Sequence, residues 1–182
     1  MLAFPGMEEA LETERLRLSP LTEADLDDLV ELDGDPEVRK MADPLGIIIP
    51  VDRQDRRTFE WERLVAPGGF YAVRERVGNA FVGWLQLEAA PDREGEAELG
   101  FRFRRNAWGL GYATEGAQAL VTHALDVFGY RRGFAHALVD NAASVRVLEK
   151  VGLVQSGPWT YRGMDGFEYA IEREIPVRLQ DA

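Results

Sequence analysis

"AELGFRFRRNAWGLGYATEGAQAL", residues 97–120, passes from a strand pattern to a helix pattern through two glycines one residue apart. Leu99, Phe101 and Phe103 alternate with Glu98, Gly100 and Arg102, which predicts a strand over 97–104 with one apolar face. Ala113, Ala117, Leu120, Val121, Ala124 and Phe128 share one face of a helix over 112–128. "FAHALV", 134–139, reads as the next strand. Together they predict a βαβ crossover with parallel strands and a right-handed connection. The loop "WGLGYA" then lies at the carboxyl end of the first strand and opens the helix. Free N–H groups and the helix dipole favour an anion there. Gly109 and Gly111 let backbone approach a ligand without a Cβ in the way. A dinucleotide fingerprint requires glycine where Thr114 stands, and no Gly-Lys-Ser/Thr exists for a Walker loop. A tight turn with nothing bound is the alternative.

Outward from this unit the chain alternates in type. "TERLRLSPL" (13–21) reads as a strand. "LTEADLDDLVEL" (21–32) reads as a helix opened by a capping-box pair, Thr22 and Asp25. "DPEVRKM" (35–41) is a short helix with Asp35 as N-cap and Pro36 at its first position. "PLGIIIP" (44–50) is an apolar link, and 51–66 is a third helix with Asp52 at its start. Strands follow at 70–77 and 80–89, joined by the hairpin signal Gly78-Asn79, with 97–104 completing a meander. Residues 141–151 form a helix, and "YRGMDGFEYAIERE" is the turn and return of a last hairpin. No repeat or linker divides the 182 residues, so a single domain over 1–182 is expected.

The net charge of −11 disfavours nucleic acid as a partner. No apolar run is long enough to span a bilayer, and the acidic N-terminus lacks a signal-peptide start; a cytoplasmic location is expected. There is no cysteine, and His123 and His136 are the only histidines, which argues against a zinc site. Residues 1–66 carry 17 acidic and 8 basic side chains, a net of −9. That excess is either a solvated surface or a field that attracts a cationic partner.

"LETERLRLSPLTEADLDDLVELDGDPEVRKM", "AELGFRFRRNAWGLGYATEGAQAL" and "DNAASVRVLEKVGLVQSG" in this order resemble the GNAT N-acetyltransferase superfamily, in its ribosomal-protein-alanine (RimJ/RimL-like) branch. The resemblance covers most of the chain and rests on "WGLGYATE" combined with "DNAASVRVLEKVGL". It implies an α/β (α+β) GNAT fold: a mixed central sheet with an antiparallel N-terminal meander, splayed parallel strands and flanking helices. It implies acetyl-CoA as co-substrate, no metal, and a homodimer. The pyrophosphate would meet the amides of Leu110, Gly111, Tyr112, Ala113 and Thr114, after Gly109. The pantetheine arm would run along Phe101 to Arg104, with an N–H near Phe103 polarising the acetyl carbonyl. Asn141 matches the family position that touches this arm and is equally an N-cap. The chain has Arg105 and Leu110 where relatives often carry Pro and Lys. Arg104, Arg105 and Arg146 are then candidates for the missing charge, or ordinary surface arginines.

The implied reaction needs a proton acceptor for the amine and an oxyanion donor. Ser144 matches a position near the thiol, where it could protonate the leaving thiolate; its alternative role is helix capping. Tyr161 and Tyr169 are weaker candidates for the acid. Glu98 is the candidate base, with a structural salt bridge as its alternative, and Glu168 is a weaker one. Glu115 reads more simply as a helix-start carboxylate. The acceptor implied is an amine, of cationic character if the acidic third attracts it. A non-catalytic acyl-CoA-binding sensor on the same fold is the competing function.

Overall fold

The computed structural model describes residues 10–42, 52–65 and 69–173. The apolar link at 44–50 and the first nine residues lie outside the described residues. The predicted first strand is split. β1 (Leu11–Glu12) turns back into β2 (Leu16–Pro20), with the Thr13 amide on Leu16 O at 2.9 Å. The Thr13 hydroxyl accepts from the Leu16 amide at 3.0 Å, a side-chain turn that the alternation of "TERLRL" does not register.

The first predicted helix begins with a 3₁₀ turn, Glu23–Asp25, before α1 (Leu26–Gly34). Asp25 accepts from both the amide and the hydroxyl of Thr22, so the expected cap residues do meet. α2 is Pro36–Ala42, and Asp35 Oδ1 accepts from the Glu37 amide. α3 (Arg53–Glu60) is capped by Asp52 and ends in a π-helical turn, Trp61–Val65.

β3 (Phe70–Glu75), β4 (Phe81–Ala89) and β5 (Glu96–Phe103) form the antiparallel meander. β3 stops two residues short of the predicted end, because the Glu75 amide already bonds Ala80 O and the turn spans 76–79. α4 (Tyr112–Asp126) carries the chain to β6 (Arg132–Leu138), which lies parallel to β5 as expected. α5 (Ala142–Val151) leads to the hairpin β7 (Val154–Tyr161) and β8 (Met164–Glu172). The eight-stranded mixed sheet runs β1-β2-β3-β4-β5-β6-β8-β7.

Helices cover both faces. α4 and α5 lie on one, over a core that includes Leu16, Leu18, Leu85, Leu87, Leu99, Leu120 and Leu148. Burying each such leucine contributes roughly 1.5–3 kcal/mol. The N-terminal helices lie on the other face, around Leu29, Leu32, Leu64, Phe81 and Trp84. β5 and β6 pair only at Glu96–Glu98 with Arg132–Phe134. Beyond that point β5 continues to Phe103 and β6 to Leu138, and the sheet forks.

Candidate active site

The fork opens towards the glycine loop. Gly109 and Gly111 both hold positive φ, 75° and 83°, which favours glycine. Gly111 is the N-cap residue of α4, and the first bond inside the helix runs from the Glu115 amide to Gly111 O. The Tyr112, Ala113 and Thr114 amides therefore have no partner among the described residues, the usual state of a helix N-terminus. The loop is clamped by Arg15 of the β1–β2 turn. Arg15 Nη1 donates to Leu110 O at 2.9 Å, and its Nε and Nη2 both reach Glu115 Oε2 at 2.7 Å. Thr13 Oγ1 also donates to Glu115. Burial works to raise the Glu115 carboxyl, but these bonds outweigh it and hold the carboxyl below its ordinary value. Glu115 thus anchors the loop as an anion. Tyr112 donates its hydroxyl to Glu75 at 2.7 Å, a bond that keeps the phenol protonated.

A cleft of about 280 Å³ runs from this loop into the fork. Of the residues singled out in the sequence, Phe101, Phe103, Gly109, Gly111, Tyr112, Ala113, Thr114, Asn141, Ser144 and Arg146 line it. The β5 backbone is oriented by its pairing with β4. The Arg104 amide bonds Val82 O, and the Ala90 amide bonds Glu96 O. By the alternation of an antiparallel pair, the even-numbered residues of β5 face β4, and the amides of Phe101 and Phe103 face the fork. Asn141 accepts from the Ser144 amide at 3.1 Å and donates to Met41 O at 3.0 Å, so it caps α5 and ties it to α2. The Ser144 hydroxyl has no hydrogen-bond partner among the described residues; Asn141, not Ser144, does the capping.

Four candidates stand elsewhere. Arg104 Nη2 binds Asp28 and Glu31 of α1, at 2.9 and 2.8 Å, because it lies on the β5 face that α1 covers. Arg105 Nε is 3.5 Å from Asp35. Neither lines the cleft. Three cations line the cleft: Arg102, which is bound to Asp33, and Arg146 and Lys150, both exposed on α5 and without an ion-pair partner among the described residues. Leu110 is 51% exposed, and only its carbonyl enters the loop's bonding. Glu98 lies at the end of the β5–β6 pairing, on the face opposite α4.

The weaker candidates separate on electrostatics. Burial works to raise Glu168, but hydrogen bonds from Arg132, Arg93 and Ser156 outweigh it and hold the carboxyl at about 2, a poor base. Tyr169 is buried in the core beneath α5, and burial raises its phenol. Tyr161 stacks on Trp159, away from the cleft. Part of the acidic excess of the first third is offset by Arg74, Arg102 and Arg104 from outside it. Asp25, Asp28, Glu31 and Asp33 of the α1 segment pair with Arg74, Arg104, Arg102 and Arg63, and Asp27 with Arg53 and Arg57. Arg15, Lys150 and the α2 residues Val38 and Met41 belong to the site although sequence reasoning did not single them out. No signal local to them marks it; they arrive through the packing of β2, α2 and α5.

Among the described residues no group of three potential metal ligands is assembled, and no helix is long and apolar enough to cross a membrane. Residues 15–154 match the sequence profile of the Acetyltransferase (GNAT) domain family. The chain is 31% identical to the FsC-acetyl coenzyme A-N(2)-transacetylase of Aspergillus fumigatus, over 93% of this chain and 79% of that protein. It is 25% identical to the uncharacterized N-acetyltransferase p20 of Bacillus licheniformis, over 82% and 84%. An acetyltransferase structure of the GNAT family from Bacillus anthracis superposes with a TM-score of 0.78 at 25% identity, over 90% of this chain and 98% of that one. The forked sheet, the open helix N-terminus and these matches agree: the chain belongs to the GNAT acetyltransferase family and is an N-acetyltransferase.

Proposed function

We propose that the chain, acting as a single domain, transfers the acetyl group of acetyl-CoA to a primary amine. The observation that carries this reading is the fork. Unpaired strand amides at Phe101 and Phe103 lead directly to the unpaired helix amides of Tyr112 to Thr114. An extended amide-bearing arm ending in an anionic diphosphate complements that series, with Arg146 and Lys150 beside it. The Aspergillus relative, named for transacetylation with acetyl coenzyme A, supports the donor.

In this reading the loop amides and the two cations hold the diphosphate. The amide of Phe103, with that of Phe101 beside it, stabilises the oxyanion of the tetrahedral intermediate. The free Ser144 hydroxyl donates to the leaving thiolate. Glu98 accepts the proton of the amine. A direct transfer needs no covalent enzyme intermediate, and the chain has no cysteine to carry one. The acceptor class is a protein α-amine, a polyamine or another small amine of cationic character. Glu88 and Glu98, cross-strand neighbours on the face opposite α4, supply the attraction there. A cytoplasmic homodimer of the RimJ/RimL-like branch completes the proposal, and sedimentation tests the assembly. The reading is tested by calorimetric binding of acetyl-CoA, followed by CoA release with a panel of N-terminal peptides, polyamines and small amines. Binding without amine-dependent release would favour the sensor instead.

A further inference from the structure

His136 lies on β6, two residues past the last pairing with β5. Its neighbours Ala135 and Ala137 face the α4–α5 core, so its imidazole projects to the opposite face, where Glu98 also projects. His136 Nδ1 is 3.1 Å from Glu98 Oε1, and Nε2 is 3.5 Å from Glu168 Oε2. The ring is stacked on Trp159 with centroids 4.5 Å apart and planes at 15°, and Phe134 meets it edge-on at 5.5 Å. The imidazole is therefore packed against two rings, and its side chain is only 15% exposed, whereas that of Glu98 is 42% exposed. The cluster forms a line: an accessible carboxylate at the fork, a fixed imidazole behind it, and a fixed anion behind that.

The charges around this line are set. Glu168 is bound by Arg132, Arg93 and Ser156 and stays ionised across the working pH range. Arg132 also binds Glu96, and Glu88 lies across β4–β5 from Glu98. Each ring nitrogen faces a carboxylate, and in the tautomer that carries its N–H on Nε2, towards Glu168, Nδ1 and Glu98 Oε1 face each other 3.1 Å apart with room for one proton between them.

Resting on the acetyltransferase function proposed above, we propose that Glu98 and His136 act as one proton acceptor, with Glu98 touching the acceptor ammonium and His136 holding the proton it yields. The ammonium gives one proton to Glu98, which shares it with Nδ1, and an imidazolium forms between two carboxylates. The neutral amine's lone pair attacks the thioester carbonyl carbon. The tetrahedral intermediate collapses, the carbon–sulfur bond breaks with its electron pair on sulfur, and the second amine proton passes to the thiolate. The imidazolium returns its proton to solvent through Glu98. The overall change is ammonium plus acetyl-CoA giving amide, CoA thiol and one proton. Glu98 is then the catalytic residue, and His136 and Glu168 are positioning residues that act through it.

The test is the pH profile of kcat/KM for a primary amine at saturating acetyl-CoA, read by CoA release. Wild type should lose activity as pH falls and the pair takes its proton from solvent instead of from the amine. His136→Gln should lower kcat at least tenfold at neutral pH, leave acetyl-CoA affinity unchanged, and move the rising limb to higher pH. Glu98→Gln, at a more exposed position, should reproduce the loss without a change in thermal stability. Because the chain has only two histidines, the His136 ring resonance can be followed in the unmodified protein. Its titration should coincide with the kinetic limb. An unchanged profile in His136→Gln, or a kinetic limb that does not follow the His136 titration, overturns the pair while leaving the acetyltransferase intact. A wild type that releases no CoA with any amine overturns both.

Discussion

At Gly111, φ is 83°, and the Cβ of any larger residue would meet Arg15 Nη2 at 3.3 Å. Valine there combines left-handed strain with a push on the arginine that holds Leu110 O. Gly111→Val should weaken acetyl-CoA at least tenfold, about 1.4 kcal/mol, with far-UV circular dichroism unchanged. Calorimetry showing wild-type affinity in the folded variant would remove the loop from the donor site. Ser144 is the contrasting case, because its hydroxyl supports nothing in the fold. Ser144→Ala should change stability by no more than about 0.5 kcal/mol and lower turnover more than acetyl-CoA affinity. Equal turnover would leave the hydroxyl without a chemical role. At this scale the sequence spoke only through backbone demands. Paired glycines announce an unusual turn and Asn141 announces a cap. Arg15 is invisible beforehand because its partners, Leu110 and Glu115, are brought to it by the sheet. Arg104 misleads for the same reason, since its position on the strand suggests the cleft and its carboxylates lie on α1.

At the scale of elements, α5 depends on one side chain at its start. Asn141 caps it and fastens it to the Met41 carbonyl of α2. Asn141→Ala should cost about 1 kcal/mol from the cap alone, with loss of the α2 tie added. Thermal melts with and without CoA separate the roles: a smaller ligand-induced shift marks Asn141 as part of the donor site, and an unchanged shift marks it as a cap and tie only. The elements themselves could be read where one face is apolar. β5, α4 and β6 have that periodicity, and they lie where it puts them. β7 has exposed residues at Val154, Gln155 and Ser156 and a poor alternation, so only its end was visible as part of a hairpin. The π turn after α3 has no periodicity of its own. It arises where Glu60, Leu64 and Arg63 settle against α1 and the sheet.

Across the whole molecule, charge is buried where the N-terminal helices close over the sheet. Glu60 is fully buried, bonded to Arg63 and close to Asp33, which Arg63 and Arg102 also bind. Burial first, and then the neighbouring Asp33 carboxylate, pushes Glu60 from 4.5 up to about 7, against the pull of Arg63. The folded chain therefore holds this proton more tightly than the unfolded chain. The resulting stability is complete below about pH 4.5 and is lost as pH rises through about 7. Its size is on the order of 1–3 kcal/mol. Thermal denaturation from pH 5 to 8 should show that decline, and Glu60→Gln should flatten it; a variant with the wild-type slope would contradict the assignment. The net charge of −11 disfavours nucleic acid but does not locate the acidic side chains. Composition counts acidic residues and cannot show that those of α1 are paired with arginines from β3, the end of β5, α3 and the turn after it.

The central claim is that the forked strands and the open helix N-terminus form a catalytic donor site. Its most direct test is CoA release by the wild-type protein with acetyl-CoA and each member of the amine panel, with the product identified by mass. The account predicts release that requires an amine and equals, mole for mole, the amine that gains one acetyl group. Tight acetyl-CoA binding with no amine-dependent release across the panel would contradict it.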